Sequence, residues 1–174
     1  MIISAGSFAQ ALWNEASEKG SWTKVFDSGV DTSSSQALRA AVGPRPAFVF
    51  YETNEGRTFG GYTALGLIET PGGFYRHEND SFLFSIDNEI IYPVGRTDLA
   101  TFHRSDYGPT FGGGHDIFVS QNLQGGYCNL GQTYFRNGAI GTITDEGCQE
   151  FTGSDRNGGA DSLVIDRIEV FVLD

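Results

Sequence analysis

Positive charge is scarce in this chain. Eleven Lys and Arg stand against 22 Asp and Glu, which leaves a formal net charge of −11. A surface of that sign repels phosphates, so binding to DNA, RNA or anionic lipid through charge is not expected. A basic partner, or simple solubility, fits the balance. Long hydrophobic runs are missing as well. No stretch approaches the roughly 18 apolar residues of a membrane span. The opening Met1-Ile-Ile-Ser-Ala-Gly-Ser7 has neither the basic nor the apolar segment of a secretory leader. These absences predict a soluble, intracellular chain without membrane insertion.

Cysteine is rare, at two residues in 174. Cys128 and Cys148 have no CxxC spacing and no Cys/His cluster around them, which argues against zinc. They suit either redox compartment, and a bridge between them requires oxidising surroundings and suitable geometry. Histidine is nearly as rare, at three residues. His115-Asp116 could be half of a nucleophilic triad. There is no G-x-S-x-G elbow, however, and Cys128 has no nucleophile context. His77, His103 and His115 are therefore read as structural or surface residues. No Lys follows the main glycine run, so a phosphate loop is not expected either.

What the chain has in quantity is phenylalanine, 14 residues, and glycine, 24. The glycines concentrate in Gly108-Pro-Thr-Phe-Gly-Gly-Gly-His-Asp-Ile117, with a shorter echo in Arg57-Thr-Phe-Gly-Gly-Tyr62. Such clusters mean positive φ or close approach by another backbone or a ligand. Phe111 is expected to anchor the core, with Gly112, Gly113 and Gly114 turning the chain against a neighbouring strand, for which that of Phe59, Gly60 and Gly61 is the candidate. His115 and Asp116 are expected to begin the following strand.

The remaining pattern is that of a β-rich single domain over residues 1–174. A capping box at Ser7 and Gln10 opens an amphipathic helix through Phe8, Leu12, Trp13 and Ala16 that stops at Gly20. Trp22 to Phe26 alternates as a strand. The stretch Asp31-Thr-Ser-Ser-Ser-Gln36 offers several caps, Ser33 with Gln36 among them, for a short helix through Leu38, Ala41 and Val42 that ends at Gly43-Pro44. The run Ala47-Phe-Val-Phe-Tyr51 is apolar enough for a central strand. A hairpin turns at Asn54-Glu-Gly56, and a second turns tightly at Asp87-Asn88. Further strands are expected at Leu99 to His103, Ile117 to Ser120, Gln132 to Phe135 and Ser162 to Leu173. Loops are expected from Gln121 to Gly131 and from Gly147 to Asp161. Many short strands with few helices predict an antiparallel β-sandwich with peripheral helices. Asp155, Asn157 and Asp161 place oxygen ligands at alternate positions and are the calcium candidates, although the loop lacks the full EF-hand pattern.

Four motifs in order resemble the TLDc domain: Phe59-Gly-Gly-Tyr-Thr63, Ser81-Phe-Leu-Phe-Ser-Ile-Asp-Asn88, Gly108 to Ile117, and Ile165-Asp-Arg-Ile-Glu-Val-Phe171. The strand led by Trp22, the helix before Gly43-Pro44 and Asn129-Leu-Gly-Gln-Thr-Tyr134 extend the resemblance over nearly the whole chain. It implies a two-sheet antiparallel β-sandwich with flanking helices, and a cytoplasmic, largely non-catalytic module. Family members are associated with protection against oxidative stress, and several bind the vacuolar-type proton-pumping ATPase. The resemblance brings no catalytic residue and no cofactor. Its motif residues are Phe59, Gly60, Gly61, Gly108, Phe111, Gly112, Gly113, Gly114, Asp116 and Glu169. The stretch 25–42 lacks the Asp-Gly and Phe-His landmarks of animal members, and no LysM or BTB domain is appended, so a divergent, stand-alone member is expected. The functions that follow are a protein-interaction module, serving the vacuolar-type ATPase or a larger assembly as a structural subunit. The alternatives are direct thiol chemistry at Cys128 or Cys148, and a calcium- or carbohydrate-binding sandwich.

Overall fold

Alternating apolar and polar residues set the strands, and turns rich in Gly, Asn and Asp set their ends. The computed structural model describes residues 8, 11, 12, 14, 20–136, 145–153 and 162–174. In chain order these form strand β1 (Trp22–Asp27), helix α1 (Ser35–Val42), and strands β2 (Ala47–Thr53), β3 (Thr58–Thr63), β4 (Phe74–Arg76), β5 (Phe82–Ser85) and β6 (Ile90–Pro93). A 3-10 turn at Thr97–Leu99 leads to β7 (Thr101–His103), β8 (Thr110–Phe111), β9 (Ile117–Val119) and β10 (Gly125–Cys128). Helix α2 (Asp145–Thr152) and the long strand β11 (Leu163–Leu173) complete the set. Phe8, Ala11, Leu12 and Asn14 are helical, consistent with the expected first helix; Ser7, Gln10, Trp13 and Ala16 lie outside the described residues.

The strand pairs are antiparallel and form one path, β4-β7-β8-β9-β10-β11-β2-β3-β5-β6, with β1 added on β11. This is the β-rich architecture that the sequence predicts, with β11 shared between its two halves. Leu163 and Val164 pair with β10. Beyond an irregularity between Ile165 and Arg167, the rest of β11 lies between β2 and β1. A bulge of this kind bends a strand and increases its twist. The inner faces of both halves share one core: Val49, Tyr51, Phe59 and Leu83 from one, Phe111, Ile117, Val119 and Cys128 from the other. The first half is apolar on its outer face too. Phe48, Phe50, Tyr62, Phe84 and Phe171 cluster there beneath Leu12, which explains why β2 reads as a continuous apolar run.

Several local expectations change. Of the several caps offered before α1, Ser34 is the one used, its hydroxyl accepting from the Ala37 N–H at 3.2 Å, while the Ser33 hydroxyl donates to the Asn122 carbonyl. Thr97–Leu99 is a 3-10 turn, so the strand expected from Leu99 begins at Thr101. The turn between β5 and β6 spans 86–89, with Glu89 at φ +53°. Gln132 to Phe135 is not a strand. Tyr134 makes a single bridge to Val94, because the N–H groups of this segment bond to a buried carboxylate. The expected loop at 121–131 contains β10. Its glycines mark close contact: a Cβ on Gly126 would lie 2.0 Å from the Phe118 carbonyl oxygen. The expected loop from Gly147 contains most of α2, whose Cys148 and Phe151 are buried. Cys128 and Cys148 form a disulfide that ties β10 to α2. The calcium candidates Asp155, Asn157 and Asp161 lie outside the described residues. No helix among the described residues is long and apolar enough to cross a membrane.

Candidate functional site

The glycine stretch is held from within the protein. Arg39 on α1 is 1% exposed and bonds to backbone carbonyls. Its Nε and Nη2 donate to Tyr107 at 3.1 and 3.0 Å, Nη2 also donates to Gly108 at 2.9 Å, and Nη1 donates to Ile68 at 3.1 Å. Burial lowers the guanidinium to about 10. The chain then enters β8, where Phe111 is fully buried and lies over Gly61. A Cβ on Gly61 would come within 2.4 Å of the Phe111 ring. Gly112 follows at φ +89°. A side chain is strained in that conformation, and a Cβ there would lie 1.9 Å from Asp116 Oδ1.

Asp116 is fully buried. Its Oδ2 accepts from the N–H groups of Gly131, Gln132, Thr133 and Tyr134 at 2.8, 3.0, 3.1 and 3.2 Å. Burial pushes the carboxyl up to about 6, against the opposing effect of these four donors. The carboxylate thus fastens 131–134 beneath the glycine stretch. His115 precedes β9 at φ +59°, and its Nδ1–H donates to the Gly112 carbonyl at 3.3 Å. His115 and Asp116 therefore face separate backbone partners and form no dyad. They occupy the turn before β9, whose first residue is Ile117.

The motif residues fall into two groups. In the glycine stretch and its echo, Gly61 meets Phe111 and Gly112 meets Asp116, whereas Gly108 meets Val119, Gly113 meets Leu99 and Gly114 meets Gln132. Phe59 stacks on Tyr51 at 4.9 Å, and Gly60 makes room for Phe84, whose ring lies 2.3 Å from a Cβ built there. Glu169 is elsewhere, buried on β11, where Oε1 accepts from Lys24 at 3.1 Å and Arg167 at 3.2 Å. Arg167 also pairs with Asp27 at 2.6 Å and helps hold that carboxyl well below its ordinary range. His103 is fully buried, with Nε2 3.0 Å from Thr101 Oγ1, which donates to Glu78 at 2.7 Å. Burial and, secondarily, Arg39 lower His103 to about 3. These perturbed groups are all engaged in packing.

The other side of the same strands faces solvent. Tyr75 lies across from Phe102, and Phe118 across from Tyr127, with ring centroids 4.8 and 4.9 Å apart. Tyr107 stands 4.8 Å from Phe118 and 5.4 Å from Phe102, and His115 is 5.0 Å from Phe102. Arg104 sits over Tyr107 at 5.1 Å and is paired with Asp106 at 2.7 Å. Tyr75 is 37% exposed and Val164, on the same face beyond Tyr127, 43%. The sequence reading placed Phe111 in the core and assigned no side to these rings. The available signal was parity: Phe118 alternates with buried Ile117 and Val119, and Tyr127 precedes buried Cys128.

A separate depression of about 540 Å³ is lined by Glu55, Arg57, Asp87, Gln149 and Glu150, together with Gly56 and Gly153. Its carboxylates do not make it a metal centre; among the described residues no cluster of three or more His, Cys, Asp or Glu could hold a metal. Compared with known families, the chain matches the model of the TLDc domain over residues 6–174. No curated protein matches it.

Proposed function

Because the chain belongs to the TLDc domain family, we propose that it is a non-catalytic protein-interaction module, which binds the vacuolar-type proton-pumping ATPase or serves a larger assembly as a structural subunit. One observation supports this reading above others. The residues with perturbed ionisation, Arg39, His103 and Asp116, bond to backbone and neighbouring side chains in the interior, while the outward side of the same strands presents a partly exposed surface of Tyr, Phe, His and Arg. Tyr and Arg are enriched where protein partners bind.

Direct thiol chemistry has less support. Cys128 and Cys148 are bridged and fully buried, and an exposed thiolate is what such chemistry requires. The bridge also bears on compartment. The family resemblance implies the cytoplasm, whereas disulfides are at home where the surroundings oxidise. A protected site within a cytoplasmic assembly reconciles the two.

Purification of the native protein tests the proposal. A stoichiometric protein partner is expected to co-migrate with it on a native gel, and identification of proton-pump subunits would select the ATPase branch. A chain that purifies alone at every salt concentration contradicts the module reading.

A further inference from the structure

We propose that the Cys128–Cys148 bridge is a thiol-operated latch on helix α2, closed when oxidised and opened by a monothiol of the glutathione class. It is independent of the interaction-module reading. Helix α2 has little to hold it together by itself. It is eight residues long, whereas an isolated helix needs about 12–15 residues to be even marginally stable. Its sequence, Asp145-Glu-Gly-Cys-Gln-Glu-Phe-Thr152, includes Gly147, Cys148 and Thr152, all weak helix formers. Its last turn carries Glu150 and no basic residue, the wrong sign for the negative end of a helix. Docking on the strands therefore has to supply its stability.

The bridge is the covalent part of that docking, and it joins Cys148 to the end of β10. Phe151 adds a ring contact 5.3 Å edge-on from Tyr92 of β6 and another 5.4 Å from Phe59 of β3. Asn88 Nδ2 donates to the Glu150 carbonyl. The bridged cysteines are 20 residues apart, and closure of a loop of that size favours the docked helix by roughly 100-fold over the unlinked one. Both sulfurs belong to fully buried residues. A thiol therefore reaches the bridge only when α2 opens locally, and cleavage then removes the constraint that brings the helix back. The pairing of β11 with β2 and β1 does not involve α2, so the opening stays local.

The chemistry is two thiol–disulfide exchanges. A glutathione thiolate attacks one sulfur of the bridge, which forms a mixed disulfide and frees the other cysteine as a thiolate that takes a proton from water. A second glutathione thiolate attacks the glutathione sulfur of the mixed disulfide. The second cysteine leaves as a thiolate and is protonated in turn, and oxidised glutathione is the product. Two electrons pass from two glutathiones to the bridge, and the reverse sequence closes it. Release of α2 bares Phe59 and Tyr92, both buried while it is docked. It also takes Gln149, Glu150 and Gly153 away from the wall of the acidic depression.

Amide hydrogen exchange of the whole chain in glutathione buffers tests the proposal. The buffers run from fully oxidised to fully reduced, and the state of the bridge is read in each by alkylation and mass. The bridge is expected to open at the reduced glutathione ratio of a cytoplasm and to close again on return to oxidised buffer. In the opened form, exchange across 145–153 is expected to speed up at least about 10-fold, while peptides of β2 and β11 stay as protected as before. The double variant Cys128→Ser/Cys148→Ser is expected to show the opened pattern in every buffer. A bridge that stays intact in the reduced buffer overturns the proposal in favour of a permanent structural link. A bridge that is cleaved while α2 keeps its protection overturns it too, because Phe151 and its neighbours then hold the helix unaided. Loss of protection in β2 and β11 together with α2 overturns it in favour of a staple on the entire fold. If the double variant fails to fold, the buffers applied to the parent chain still decide among these outcomes.

Discussion

Gly61→Ala places a methyl group where the Phe111 ring stands. The added Cβ would lie 2.4, 2.7 and 2.8 Å from three ring carbons, against about 3.5–4.0 Å for an ordinary carbon contact. Phe111 is fully buried, and Tyr134 packs edge-on to it at 6.2 Å, so the ring must move about 1 Å into filled space. Overpacking of this kind costs about 1–3 kcal/mol. With room available, the same substitution would stabilise a strand by about 0.5–1 kcal/mol, because alanine has less freedom to lose on folding. The sign of the effect therefore separates the two cases. A net loss of about 1–2 kcal/mol is expected in urea unfolding, seen as a lower midpoint at constant m. The double substitution Gly61→Ala/Phe111→Leu is expected to be at least about 0.5 kcal/mol more stable than the summed single effects predict. A Gly61→Ala variant as stable as the parent, or strictly additive effects, would refute the packing role of the Phe-Gly-Gly motif. Gly113 gives a blunter test, since its added Cβ meets the flexible end of Leu99 at 2.4 Å.

Asp116→Ala leaves the N–H groups of Gly131, Thr133 and Tyr134 buried without an acceptor, so a loss of about 3–5 kcal/mol is expected; Asp116→Asn, which keeps one oxygen, is expected to lose less than half of that by urea unfolding. The pH dependence has opposing contributions. His103 is lowered to about 3, so its contribution to stability is full above its unfolded value near 6.5 and declines as pH falls from there. Asp116 is raised to about 6, so its contribution is present below its unfolded value near 3.8 and is lost as pH rises through 6. Between about pH 4 and 6, Asp116→Asn is therefore expected to make the rise of stability with pH steeper by about 1.4 kcal/mol per unit; parallel pH profiles would contradict the assignment. Reduction of Cys128–Cys148, with a sequence separation of 20, is expected to cost about 3 kcal/mol, and alkylation of the native protein before unfolding is expected to label neither cysteine. Ready labelling of both would show that the bridge is not the native state.

The architecture was legible in the sequence because strand signals depend on local alternation. The apolar run of β2 announced a central strand, and it lies between β3 and β11; the strand expected from Ser162 to Leu173 is β11. Gly43 closes its helix where a glycine stop was expected. What could not be read depends on partners distant in the chain. Gln132 to Phe135 has a strand's composition, yet Asp116 takes its N–H groups. Helix α2 has weak local signals, and its buried side is tied to β10 through the disulfide. Gly125 and Gly126 looked like a loop because the approaching Phe118 backbone is invisible in the local sequence. The glycine motif was read as architectural, and its Phe111 and Asp116 are buried. The surface it supports was missed, because an outward Phe and an inward Phe are the same letter until strand pairing fixes which side each faces.

Footprinting tests the central claim most directly. The native complex and the free protein would be oxidised by hydroxyl radicals, and labelling of each ring would be measured by mass spectrometry. Tyr75, Phe102, Phe118 and Tyr127 are expected to be labelled in the free protein and protected several-fold in the complex, with Ile91 on β6 unchanged. Equal labelling of the four rings in both states, with protection appearing instead around Arg57 and Gln149, would move the partner to the acidic depression and contradict the account.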